Sequence, residues 1–227
     1  MPPLGAQPRI GKKSFPRLLQ PGLTEPFREG KIKHIGLSNV SSATLKRAVK
    51  IAPVAAVQSD YSPFVLDVER ASGTDLLATC RELGVALVAA MPLGRGMVTS
   101  TFAAGGGVGE DVKDRRTQVM PRFQDENRAK NVEVIRRFKA LSDARGCTPA
   151  QLSLAWLLKQ GNDIIPIPGT KRIKYLEENF AAVGVKLTDE DEAEIRRFVE
   201  NAEVGGETVP PAFASYYFAD TVEEGSR

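Results

Sequence analysis

VAAVQSDYSPFVLDVERASGTDLLATCRELGVALVAA, residues 54–90, decides the fold. It opens and closes on short apolar runs, VAAVQ at 54–58 and VALVAA at 85–90, each of strand length and rich in Val and Ala. Between them LLATCRELG, opened by Asp75 and ended at Gly84, has helical composition with a glycine stop. Strand, turn, helix, strand is the unit from which parallel sheets are built.

Working outward, the unit recurs. Upstream lies IKHIGL at 32–37, followed by ATLKRAVKIA, a helix that Ser41 or Ser42 can cap. Downstream lies IIPI at 164–167, preceded by QLSLAWLLKQ, for which Thr148, Pro149 and Gln151 write a capping-box start. Three of the four runs are nearly all apolar, as strands covered on both faces should be. Further helices are expected from Asn131 to Gly146, with Val132, Ile135, Phe138 and Leu141 in period, and from Thr188 with an acidic first turn. The connection from Met91 to Asn131, with AAGGGVG at 103–109, is too long for an ordinary loop and reads as a lid, a binding loop or disorder.

The fold class is therefore α/β. An eight-unit barrel needs roughly 250 residues, about 31 per βα unit. Four strands between Ile32 and Ile167 are half of that, so the expected architecture is a partial (β/α)8 TIM barrel, approximately strands 5–8 with their helices. Three segments are expected: a poorly specified Pro/Gly-rich stretch at 1–30, the half barrel at 31–204 and a polar tail at 205–227.

Composition narrows the function. The 227 residues are 42% hydrophobic and 26% charged, enough for one substantial core. Lys+Arg 31 against Asp+Glu 28 leaves +3, scattered rather than blocked, so neither nucleic acid nor a membrane surface is an expected partner. Cys80 and Cys147 cannot make a disulfide scaffold or a four-ligand zinc site, and no other metal site is apparent. With no signal-like apolar start, the expected location is the cytoplasm.

GKIKHIGLSN at 30–39, VQSDYSPF at 57–64, MPLGRG at 91–96, CTPAQLSLAWLL at 147–158 and IPIPGTKRIKYLEENF at 165–180 resemble, in order and spacing, the C-terminal half of the aldo-keto reductases. FADT at 218–221 is similar to a fungal, pyridoxal-reductase-like branch that includes biosynthetic-cluster enzymes. The resemblance implies reduction of a small aldehyde or ketone by hydride from NADPH. It also implies that the N-terminal half is missing, through truncation or an incorrect gene model. Members draw their catalytic Asp, Tyr, Lys and His from the first four strand ends, which have no counterpart in 1–27. No catalytic residue is therefore assigned, and the chain alone is expected to be inactive; the alternative is a non-enzymatic half barrel that binds a partner.

Ser38, Asn39 and Gln58 close two strands, so a hydroxyl and two amides converge where barrels bind ligands. By resemblance they hold the nicotinamide carboxamide. The resemblance also implies that Leu93, Gly94 and Arg95 lie along the pyrophosphate, Gly94 and Gly96 allowing close backbone approach. Gly169, Thr170, Lys171 and Lys174, at a basic loop entering a helix, suit a 2′-phosphate, and by resemblance Glu178 and Asn179 bond the adenine. Ala90 and Met91 replace the family's usual aromatic and Ser, and losing that stacking face costs about 1 kcal/mol or more, so NADP binding is expected to be weak. His34 reads as a peripheral histidine and Tyr61 as a core or rim aromatic. Open sheet edges are expected to drive self-association.

Overall fold

The computed structural model describes residues 23–108 and 114–221. Four parallel strands form one sheet in chain order: β1 (Ile35–Ser38), β2 (Val54–Asp60), β3 (Ala86–Ala90) and β4 (Ile164–Pro166). Ahead of them stands a short helix, α1 (Thr24–Arg28). All four expected strands are present. The first is shorter at its start, because pairing begins at Ile35 opposite Val54 while Lys33 and His34 are exposed. The second runs two residues further, to Asp60 opposite Ala90.

Register separates the two faces. Leu37, Val57, Leu87 and Ile164 stand side by side, and all are buried. They join Leu45, Leu76, Cys80 and Trp156 in one core beneath α2 (Ser42–Ala48), α3 (Leu76–Leu83) and α7 (Pro149–Lys159). The next row, Ser38, Gln58, Val88 and Ile165, points the other way and is exposed or half-buried. The expectation of strands covered on both faces is thus corrected. Among the described residues only one face carries helices, and the apolar runs reflect a buried row interleaved with small or aliphatic residues on an open one.

Caps follow the local chemistry. Ser41 rather than Ser42 caps α2, accepting from the Thr44 amide. Thr148 and Gln151 form the reciprocal box at α7, and Thr188 with Asp191 does the same for α9 (Asp189–Glu200). Asp75 precedes α3 in a left-handed conformation, but its side chain makes no cap.

The long connection after β3 is built into the core. It holds α4 (Ser100–Ala103) and α5 (Arg116–Val119), and it buries Met97, Val98, Phe102, Val108 and Phe123. The disordered reading is corrected for its described part; Gly109 of AAGGGVG lies outside the described residues. α6 (Asp125–Asp143) starts six residues before the expected Asn131, because its polar opening DENRAK has no apolar period to betray it. Cys147 lies in the turn before α7.

After β4 come α8 (Ile173–Ala181), then α9, and then a tail with α10 (Pro211–Ala214). The tail doubles back onto the sheet's carboxyl end, and Ala219 bridges Val40 in parallel. Of the expected 1–30 segment, Thr24 is buried and residues 1–22 lie outside the described residues. No helix among the described residues is long and apolar enough to cross a membrane.

Candidate functional site

Parallel strands bring all their carboxyl ends to one rim. Ser38 pairs with Gln58 there, and both side chains stand on the open face. Asn39 follows at φ 54°, a left-handed conformation that Asn tolerates better than most residues. Its amide donates to the Gln58 carbonyl at 2.9 Å. The side chains of Ser38, Asn39 and Gln58 take no partner among the described residues, leaving one hydroxyl and two amides free on adjacent positions. That donor and acceptor set fits a primary carboxamide.

MPLGRG turns away from the end of β3 through a series of left-handed residues, Met91, Gly94, Arg95 and Gly96. Only Gly94 and Gly96 adopt this region without a Cβ penalty. A Cβ on Gly96 would lie 2.6 Å from the Arg116 guanidinium, which donates to the Arg95 carbonyl at 2.6 Å. The space beside that glycine is therefore filled by Arg116. Leu93 is half-buried at the start of the turn. The Arg95 guanidinium is engaged, donating to the Asp60 carboxylate at 3.3 Å, the Tyr217 hydroxyl at 3.2 Å and the Thr208 carbonyl at 3.3 Å. Burial pushes Asp60 above its ordinary range, with Arg95 pulling the other way, and burial followed by the Asp60 charge pushes the Tyr217 phenol up.

Beyond β4 the loop is open: a Cβ on Gly169 would meet nothing within 4 Å. Thr170 spends its hydroxyl locally, accepting from the Arg172 amide at 3.2 Å. Lys171 and Lys174 are exposed and carry no ion pair among the described residues, while Arg172 sits over the Tyr175 ring. Glu178 is half-buried and Asn179 is buried on the inner side of α8. The predicted groups thus fall into three places, the ends of β1 and β2, the turn after β3, where Arg95 is committed to Asp60 and Tyr217, and the loop after β4 with α8.

Acid–base groups are placed as structural ones. Tyr61 is fully buried, donates to Glu69, stacks edge-on against Trp156 and is pushed upward by burial and by Glu69. Glu69 in turn pairs with Arg196, which lies over Trp156. His34 is exposed ahead of β1. Burial drives the Cys80 thiol up to about 12, so it is no poised thiolate. Sequence reasoning missed Asp60 and Tyr217. Asp60 had one legible signal, its place two residues past the expected strand end at Gln58; Tyr217 had none, because the tail that delivers it shows no apolar period.

Residues 19–200 match the Aldo/keto reductase family. The chain belongs to that family. It is 47% identical over 192 residues to the aldo-keto reductase yakc [NADP(+)] of Schizosaccharomyces pombe, covering 85% of this chain and 55% of that protein. It is 42% identical over 201 residues to the aldo-keto reductase str7 of Strobilurus tenacellus, covering 88% and 59%. The chain therefore spans little more than half the length of these relatives. Among solved structures, a thermostable aldo-keto reductase in complex with the inhibitor epalrestat superposes with a TM-score of 0.59 at 25% identity, over 85% of this chain and 56% of that one. The glycerol dehydrogenase of Gluconobacter oxydans gives 0.68 at 23% identity, over 82% and 54%, a likeness of fold alone.

Proposed function

We propose that this chain is the cofactor-holding half of an NADP-dependent aldo-keto reductase that acts on a small aldehyde or ketone. The observation that carries this is the pairing of Ser38 with Gln58 on the open face, beside Asn39, at the sheet's carboxyl rim. Ser38, Asn39 and Gln58 would hold the carboxamide, and Lys171 and Lys174, in the open loop after β4, would meet the 2′-phosphate as point charges. NADPH, when bound, supplies the hydride.

Carbonyl reduction also needs a proton for the developing alkoxide. The core phenol of Tyr61 and the rim-side phenol of Tyr217 are both pushed away from donating it, one locked onto Glu69 and the other beside Asp60. We read the chain alone as catalytically silent, its acid belonging to further βα units in the part of the relatives that this chain does not match. Fluorescence titration tests the cofactor reading: NADPH should bind more tightly than NADH, and Lys171→Ala should erase most of that preference, about 5- to 10-fold for a single charged contact. Equal response to both cofactors removes the phosphate assignment. No response to either favours the second reading, a half barrel that binds a partner, which the exposed Ile165 and Ile167 on the open face recommend.

A further inference from the structure

FADT, the motif of the tail, lies against the turn that follows β1. The Ala219 amide donates to the Asn39 carbonyl at 3.3 Å, and the Ser41 amide donates to the Ala219 carbonyl at 3.3 Å. The Ser41 hydroxyl donates to the Asp220 carboxylate. Thr221 accepts from Arg47 through its carbonyl at 2.7 Å and its hydroxyl at 2.6 Å, and its amide donates to the Thr44 hydroxyl at 3.0 Å. Phe218, itself left-handed, packs its ring against the core.

These contacts have a consequence for Asn39. A non-glycine residue at positive φ persists only where its surroundings hold it there. On one side Asn39 is held by Gln58 of β2, and on the other by Ala219. β1 is an edge strand, paired only with β2, so among the described residues the tail is what stands on its free side at the rim. We propose that Ala219, Asp220 and Thr221 are positioning residues: they lock the turn at Asn39 and so fix the aim of the Ser38–Asn39 pair at the carboxamide. The proposal rests on the cofactor reading above, which it deepens by tying the site to a segment some 180 residues away in sequence. None of the three residues need touch the cofactor.

Hydrogen exchange and cofactor titration on the full chain test it together, comparing the parent with Asp220→Ala/Thr221→Val, which unties the side-chain anchors, and with Ala219→Pro, which deletes the donor to Asn39. Without cofactor, exchange in peptides covering 39–44 should quicken by about tenfold in both variants, while 85–90 in β3 stays unchanged, which also shows that the variants fold. NADPH binding should weaken by about 3- to 10-fold, as the competent turn becomes less populated. Unchanged exchange at 39–44 overturns the lock. Faster exchange with unaltered NADPH affinity overturns the positioning role. If the parent takes no NADPH, the cofactor reading fails and the positioning role fails with it, whereas the lock still stands or falls on the exchange data alone.

Discussion

Asp60 and Arg95 meet at the ends of β2 and β3 with side chains only 9% and 14% exposed, so their pairing is not a surface ornament. Burial dominates at Asp60 and raises its pKa above the ordinary 3.8. Between 3.8 and that raised value the native chain binds more protons here than the unfolded chain does, so the carboxyl's contribution to stability declines as pH climbs through the interval. Asp60→Asn removes the decline, and the variant should gain stability relative to the parent as pH rises. Asp163 has the opposite sign: the hydrogen bond from Arg81 lowers its pKa, so its contribution is present above 3.8 and lost as pH falls. Asp163→Asn should therefore lose ground relative to the parent as pH rises. Urea unfolding across about pH 3 to 7 reads both slopes, and parallel curves for the two variants would sink the assignment.

Helices and strands were legible wherever burial imposed a pattern. The run at 85–90 sends every second residue, Val85, Leu87 and Ala89, into the core, the run at 54–58 buries Val54 and Val57 across a register shift, and Thr148 with Gln151 writes the start of α7 in side-chain chemistry that needs no tertiary partner. Where elements are held by polar contacts the sequence is quiet: DENRAK begins α6 without an apolar stripe, and the tail docks through Asp220 and Thr221 rather than through a hydrophobic period. Ser38, Asn39 and Gln58 could be placed at a rim from their positions at strand ends, but the bonds taken by Arg95 depend on Asp60 and Tyr217, which no spacing links to it. The box at α7 makes a direct prediction. Thr148→Ala should cost about 1 kcal/mol, because the Gln151 amide loses its acceptor at the head of the helix that carries Leu152 and Trp156 into the core. A shift of the urea midpoint with unchanged slope checks it; no shift would mean that packing alone specifies that terminus.

At the scale of the whole molecule, the sheet order leaves β1 and β4 at its edges, and the open face presents Ile165 and Ile167 at 49% and 43% exposure. The flank beside β4 is also apolar: Ile173, Leu176, Phe180 and Val183, spaced three to four apart along and just past α8, are 76%, 58%, 76% and 60% exposed. Single exposed hydrophobics are ordinary, but a helical stripe that follows an edge strand is the kind of surface on which proteins associate. A second copy can supply strands to both edges, β4 of one chain against β1 of the other, reaching the eight strands that close a barrel without free edges. The chain should therefore associate at micromolar concentration in size-exclusion chromatography with light scattering. Leu176→Lys with Phe180→Lys should shift it toward monomer at equal concentration, because both side chains already face solvent and charge there penalises only the associated state. A parent chain that runs as a monodisperse, cooperatively unfolding monomer would show the stripe and edges to be covered within one chain, and would remove self-association from the account of this fold.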